Sequence, residues 1–211
     1  MLTNYEKIST TGVIKQVEFT PPVYDTEYVI RYNASLAGQA DELSYLRLGL
    51  LLGSLNQSAT KLLDVGYGDG NFLEKAASVI KSCYGYDISP QFPLPLKSNI
   101  ELTQNITGAY YDVVTFYNSL EHMPEIDFIK DIQCQFLVIT TPWCHYFSDE
   151  WFKNWKLRKP EEHIWHFSDE TLLRFMRKMG YTAIHYSNAE DAVRGEKLGY
   201  ANYLTAIFKK G

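Results

Sequence analysis

Two aspartates and three alternating glycines are the residues whose types and spacing most clearly suggest chemistry. Asp64 ends the apolar run Leu62-Leu63 and is followed by Gly66, Gly68 and Gly70 in the segment LLDVGYGDGNFL. Glycines at this spacing permit left-handed backbone in a tight turn and let a ligand approach the main chain. An apolar strand, a glycine turn and a helix form the unit that brings a nucleotide-like ligand to backbone amides. Asp87 lies 21 residues after Gly66, behind the run CYGY. A carboxylate there, at the end of a second strand, can accept both hydroxyl hydrogens of a ribose. Alone, the glycines are a weak signal. Combined with two acids at strand ends, they point to a ribose-bearing ligand.

The other groups able to act on a substrate are the histidines. There are five: His122, His145, His163, His166 and His185. Imidazole is the usual general base near neutral pH. His122 follows Glu121 in a loop beside the site, and His163 and His166 stand three apart ahead of the last long helix, so these three are the candidates. His185 falls on a strand and reads as structural. The three cysteines, Cys83, Cys134 and Cys144, are odd in number and include no C-x-x-C pair. That usage fits a reducing cytosol better than a disulfide framework or a zinc-cysteine site.

These residues need a scaffold. Strands are expected at Leu62–Asp64, Ser82–Tyr86, Ile100–Thr103, Asp112–Tyr117, Phe136–Thr140, Thr182–Tyr186 and Tyr203–Lys209. Helices are expected around Asp25–Asn33, at Asp41–Leu55 with Leu43, Leu46 and Leu50 facing inward, at Phe72–Ile80 and at Asp169–Met179. The last of these has Ser168 as N-cap, an incomplete capping box because Thr171 replaces the usual acid, and Gly180 as its stop. Pro90, Pro93 and Pro95 mark a loop. Strands alternating with helices predict a parallel α/β sheet with helices on both faces. Ligands of such sheets bind at the carboxyl ends of the strands, where Asp64, Asp87, Tyr117-Asn118 and Thr141-Pro142 all fall. No internal repeat or linker interrupts the pattern. A single domain is expected, with residues 1–39 as an arm or lid and 40–211 as the core.

DVGYGDG followed by YGYDIS resembles the cofactor signature of class I S-adenosylmethionine-dependent methyltransferases. YDVVTFYNSLEHM is similar to their fourth strand and its exit loop, and FLVITTPW to their fifth strand. EEHIWHFSDETLLRFMRKMGY is similar to the substrate-side segment and helix of the small-molecule branch. The resemblance implies a Rossmann-like, seven-stranded, mostly parallel sheet whose last strand is antiparallel. It implies S-adenosylmethionine as cofactor, its methionine part held by Asp64 and the turn Gly66-Tyr67-Gly68-Gly70. Asp87 would bind the ribose, Ile88 would flank the adenine, and the backbone around Tyr117 and Asn118 would line the sulfonium. The usual acid before Tyr111 is missing, with Asn105 as its nearest substitute. The NAD pattern G-x-G-x-x-G fails at Asn71, and Asp64 suits a cationic amine better than a pyrophosphate.

Glu121-His122 with a later histidine resembles the divalent-metal site of some methyltransferases that use E-x-x-E-H, but Asn118 stands in place of the first acid, so no metal is expected. The segment Trp143–Lys159 is long and aromatic. Its Trp143, Tyr146, Phe147, Trp151, Phe152 and Trp155 read either as a lid over an acceptor or as core and dimer contact. The net charge of −5 disfavours nucleic acid as partner. No apolar run is long enough to cross a bilayer, and no signal peptide opens the chain. The expectation is a cytoplasmic enzyme moving a methyl group to the O or N of a small molecule, a sugar or another metabolite. The alternative is a non-catalytic S-adenosylmethionine-binding regulatory or scaffold protein. Oligomeric state is not encoded in any feature of the chain.

Overall fold

The computed structural model describes residues 3–20, 22–25, 27–28, 30–31, 38–55, 58–88, 98–195 and 198–211. Of the expected Asp25–Asn33 helix, residues 27–28 and 30–31 are helical and residues 26, 29, 32 and 33 lie outside the described residues, as does the Pro90, Pro93 and Pro95 loop.

Seven strands form the main sheet: β3 (Lys61–Val65), β4 (Ser82–Tyr86), β5 (Ile100–Leu102), β6 (Tyr110–Tyr117), β7 (Gln133–Pro142), β9 (Tyr181–Ser187) and β10 (Tyr203–Lys210). Their spatial order is β5-β4-β3-β6-β7-β10-β9. The pairs from β5 across to β7 are parallel, and β10 is antiparallel to both its neighbours. The central strands are buried on both faces, which is why β6 and β7 read as continuous β-branched and apolar runs rather than as alternations. Helix α1 (Ala40–Ser54) and helix α2 (Asn71–Ala76) cover one face, packing Leu48, Leu51, Phe72 and Leu73 against Leu62, Val113 and Val138. Helix α4 (Asp169–Lys178) covers the other, with Leu172, Phe175 and Met176 among Leu63, Val114 and Leu137. Neighbouring strand residues thus serve opposite layers, as the two-residue period demands.

The inward face of α1 is Leu43, Ser44, Leu48 and Leu51, not the expected Leu43, Leu46 and Leu50. In a leucine-rich helix several stripes look alike, and only contact with the sheet selects one. The capping box of α4 is complete. The Ser168 amide donates to Thr171 Oγ1 at 2.8 Å, and the Thr171 amide donates to Ser168 Oγ at 3.2 Å, so a hydroxyl fills the acid's role.

A second, three-stranded sheet joins β1 (Tyr5–Lys7), β2 (Ile14–Gln16) and β8 (Trp165–His166) in antiparallel order. These strands are too short to announce themselves as periodic runs. The Trp143–Lys159 segment holds helix α3 (Asp149–Asn154) and a 3-10 turn, and its Cys144, Phe152, Trp155 and Leu157 are core, buried with Tyr5, Ile14 and Tyr203, while Phe147 stays exposed. A last short helix, α5 (Glu190–Arg194), lies between β9 and β10. Among the described residues no helix is long and apolar enough to cross a membrane.

Candidate active site

The glycine turn leaves the carboxyl end of β3. Gly66, Gly68 and Gly70 all have positive φ, at 78°, 55° and 75°. At Gly66 the reason is packing: a Cβ there would lie 2.4 Å from Ser119 Cβ. At Gly68 a Cβ would meet nothing within 4 Å, so this glycine borders open space. The turn is anchored by Gly66 N donating to Tyr86 O at 2.7 Å, and two residues on Gly68 N donates to Asp87 Oδ2 at 3.1 Å. Gly66→Ala is therefore expected to disrupt both the turn and the Ser119 loop. It should lower the melting temperature by several degrees, as a strained positive φ and a clash with Ser119 Cβ together cost at least about 2 kcal/mol. An unchanged melting curve would show that the loop shifts freely.

Asp64 is buried in the β3–β6 ladder opposite Thr115, whose hydroxyl donates to Asp64 Oδ1 at 2.6 Å. Burial pushes its carboxyl up to about 7, against the opposing pull of Thr115 and Arg47. Asp64 and Arg47 both line a small cavity of about 60 Å³ with Ser44, Gly66, Gly68 and Asn71. An acid and a guanidinium in one small cavity are the two ends needed for an amino-acid group, the acid for its ammonium and the cation for its carboxylate.

Arg47 is held in place by an ion cluster that is nearly closed to solvent. Its Nε donates to Glu190 Oε1 at 2.7 Å, and its Nη2 donates to Asn118 Oδ1 at 3.3 Å. Arg194 Nη2 donates to Glu190 Oε2 and to the same Asn118 oxygen, both at 2.8 Å. Burial alone would raise the Glu190 carboxyl, but the two guanidiniums overcome that and hold it at about 2. The cluster carries two positive charges against one negative. Its Arg47 guanidinium sits 4.5 Å from the Tyr117 ring centroid, at the joint between the small cavity and the main one.

The main cavity, about 510 Å³, opens on the other side of Gly66 and Gly68. Asp87 and Ile88 line it at the β4 end, with Ile106 and Phe128 beyond them, and Tyr24, Tyr28 and His122 wall the far end. Asn118 lies at the exit of β6 with φ 55°, and Tyr117 and Asn118 both line the cavity. Ile88 is largely exposed at 74%. Asn105 is absent from the lining and instead accepts from the Thr107 amide at 2.9 Å within its own turn.

His122 lines the cavity, with its Nδ1 3.2 Å from the Tyr24 hydroxyl. Burial, with Lys159 adding to it, lowers its imidazole to about 4. His163 packs edge-on against His122 with ring centroids 4.8 Å apart, and its Nδ1 lies 2.7 Å from the Leu157 carbonyl. Glu121 is fully buried; burial pushes it up to about 7, and its Oε2 has no hydrogen-bond partner. His166 lies apart from this group, buried in β8 among Tyr5, Phe152 and Trp155 and lowered by burial to about 3. The Cys144 thiol is buried and pushed up to about 12, which leaves it a packing residue.

A family model described as a methyltransferase domain matches residues 37–186, well over half of the chain. The chain belongs to the class I S-adenosylmethionine-dependent methyltransferases. No curated protein matches it. Among solved structures it is similar to an S-adenosylmethionine-dependent methyltransferase from Clostridium acetobutylicum ATCC 824, at TM-score 0.60 and 12% identity over 88% of this chain and 98% of that one. It is also similar to magnesium protoporphyrin IX methyltransferase from Synechocystis PCC 6803 with bound SAH, at TM-score 0.57 and 14% identity over 91% and 90%. The (4+2)-cyclase SpnF is a third, at TM-score 0.57 and 17% identity over 81% and 80%. At these identities the likeness is one of fold.

The residues of this methyltransferase fit its cofactor. The open space at Gly68, the buried and unpartnered Tyr117 hydroxyl where the two cavities meet, and the Asp64–Arg47 pair suit a nucleoside carrying an amino acid. Of the residues expected from sequence, Asp64, Gly66, Tyr67, Gly68 and Tyr117 line the small cavity, while Gly66, Gly68, Asp87, Ile88, Tyr117 and Asn118 line the large one. Gly70 starts α2 as its left-handed N-cap and lines neither. Sequence reasoning missed Arg47, Glu190 and Arg194, although a lone arginine inside the apolar run Leu46–Leu55 was a usable signal. It also missed Tyr24 and Tyr28 as cavity walls.

Proposed function

We propose that this methyltransferase moves a methyl group from S-adenosylmethionine to a small-molecule oxygen or nitrogen acceptor, bound between the β6 exit loop and the Tyr24–Tyr28 wall. The supporting observation is the single cavity of about 510 Å³, which combines the Asp87 end with a far end walled by Tyr24, Tyr28 and His122. That volume suits a nucleoside and a compact second ligand, and is of the size ordinary for small-molecule sites. The net charge of −5 gives no attraction to a polyanionic acceptor.

The sulfonium of the cofactor supplies an activated methyl group. The chain's residues bind and align. Asp64 and Arg47 would fix the amino-acid end, Asp87 the ribose hydroxyls, and the apolar side chains Ile106 and Phe128 the base. Asn118, pinned by Arg47 and Arg194, holds the β6 exit loop in its left-handed turn. Alignment of two reactants in a closed cavity is worth several kcal/mol of barrier. Neither His122 nor His166 is a strong base at neutral pH, because burial keeps both imidazoles neutral. Nothing in the site favours the scaffold reading over this one.

Isothermal calorimetry with S-adenosylhomocysteine, followed by a methyl-transfer screen over hydroxyl and amine metabolites, tests the proposal. Asp87→Ala should weaken S-adenosylhomocysteine at least about tenfold, two charge-assisted hydrogen bonds being lost. Binding of NAD in its place, or undiminished binding by the variant, would overturn the assignment. Transfer confined to a protein or nucleic acid would overturn the small-molecule acceptor.

A further inference from the structure

The far end of the main cavity holds a corner that the proposed cofactor contacts leave unused. Tyr24 and Tyr28 both line it, with ring centroids 4.9 Å apart and planes at 81°, so the two rings meet nearly at right angles. The His122 ring stands at 82° to Tyr24 as well. Aromatic faces carry negative potential and attract cations placed over them. The charges around the corner act in the same direction. Among the described residues no lysine or arginine lines this cavity, whereas Asp87 and Glu125 do. Lys159 and Lys15 lie nearby but are paired, with Glu162 and Glu125 respectively, each at 3.4 Å. After burial, the carboxyl groups of Glu162, Glu121 and Asp87 are what push the Tyr24 hydroxyl above its ordinary value. An anionic acceptor would find no counter-charge here.

We propose that the methyl acceptor is an amine, and that the Tyr24–Tyr28 corner holds the cationic nitrogen formed when it takes the methyl group. This inference rests on the methyltransferase reading of the cavity and narrows its oxygen or nitrogen acceptor to nitrogen.

The charge balance of the reaction supports it. The lone pair of a neutral amine forms the N–C bond as the sulfonium C–S bond breaks, and the electron pair of that bond stays on sulfur. The products are a thioether and an ammonium, so one positive charge passes from sulfur to nitrogen. The ammonium gives its extra proton to solvent on release, and no base has to act before the step. A hydroxyl acceptor must lose a proton to react, and the cavity provides no ready place for it. His122 Nδ1 already faces the Tyr24 hydroxyl at 3.2 Å, while Glu121 is fully enclosed and outside the lining. An alkoxide would also meet the negative faces of two rings. Beside the sulfonium a second cation is repelled, so the amine enters neutral and gains its charge only as sulfur loses it. The two rings therefore act where charge develops, which lowers a barrier rather than merely tightening substrate binding.

Choline and 3,3-dimethylbutan-1-ol have the same shape, but only choline carries a charged nitrogen, and that nitrogen has no lone pair to methylate. In calorimetry on wild type saturated with S-adenosylhomocysteine, choline should bind at least about tenfold tighter than the alcohol. With S-adenosylmethionine in its place that preference should shrink, because the sulfonium opposes the second cation. Tyr28→Phe should keep the preference and Tyr28→Leu reduce it to about threefold or less, both holding S-adenosylhomocysteine within about twofold of wild type. Should Tyr28→Leu lose cofactor affinity, Tyr24→Leu provides the same comparison. Equal binding of the two probes, no detectable choline binding, or a preference unchanged by removal of a ring would each overturn the amine site. So would methyl transfer to benzyl alcohol without transfer to benzylamine. Failure of the methyltransferase reading has a different signature, the absence of S-adenosylhomocysteine binding in the wild type whether or not choline binds.

Discussion

Glu190→Ala is expected to destabilise the protein by roughly 3–5 kcal/mol, the usual cost of leaving a buried charge uncompensated. In a chain of this size that corresponds to a fall in melting temperature of roughly 10 °C. The reason is that Glu190 is the anion between two guanidiniums whose side chains are only 12% and 9% exposed. Removing it leaves Arg47 and Arg194 facing each other over the Asn118 oxygen. Their repulsion should also swing Arg47 out of the small cavity and weaken S-adenosylhomocysteine by more than about tenfold. The pH dependence has a definite sign. A carboxyl held near 2 in the folded protein stabilises it at every pH above its unfolded value, and loses that effect as pH falls from about 4.5 towards 2. The gap between wild type and Glu190→Gln should accordingly be flat from pH 8 to 5 and narrow only below that. A melting temperature within about 2 °C of wild type for Glu190→Ala would remove the cluster from any structural role.

Asp64→Asn should have opposite effects on stability and on binding. Burial raises the Asp64 carboxyl from 3.8 to about 7, so in the free protein its ionised form is a liability. The groups facing it are Thr115 and Arg47, which favour ionisation, and Asp87 and Asp69, which oppose it. A raised carboxyl destabilises the fold progressively as pH climbs from about 4 to 7, with the loss complete above 7. The neutral amide avoids that loss, so the variant should be more stable than wild type at pH 8, by at most about 4 kcal/mol, and similar to it at pH 4. Its affinity for S-adenosylhomocysteine should drop at least about a hundredfold, because an ammonium group would meet an amide in a buried place. In the wild type, affinity should fall about tenfold per pH unit below 7, since only the ionised acid serves the ammonium. Calorimetry across pH 5 to 8 measures both. A pH-independent affinity would show that Asp64 does not receive the amine.

The cofactor side of the site was legible because its residues are local. Asp64, the glycines and Asp87 are each placed by a strand end, and β3 and β4 are written in plain apolar runs. The ion cluster was not legible. Arg47 and Glu190 are 143 positions apart, and the five-residue helix that carries Glu190 is too short to leave a periodic trace. His163 was singled out by its residue type, but its packing against His122 was not legible, because the tie between the two segments is a backbone hydrogen bond from Ile164 to Glu121, between a short turn and the approach to a two-residue strand. The aromatic segment from Trp143 to Lys159 was ambiguous between lid and core because both call for tryptophan and phenylalanine. Contact with the small sheet decided it, since Phe152 and Trp155 pack against Tyr5 and His166 rather than over the cavity. Tyr24 and Tyr28 wall the cavity instead, from a segment with little apolar pattern of its own.

The position of β10 has a consequence for how the molecule is made. It lies between β7 and β9, pairing with each through antiparallel ladders, although it follows both in the chain. During synthesis, β9 emerges with no strand to pair with in the main sheet. Until residues 203–210 arrive, β7 has one open edge of ten residues, nearly all of them apolar or threonine. Open apolar edges recruit other chains, and ladders spanning long sequence separations close slowly. The vulnerable moment for this protein is therefore on the ribosome and just after release. Substitutions that weaken β10, such as at the buried Leu204, Ile207 or Phe208, should reduce yield of soluble protein before they alter the finished enzyme.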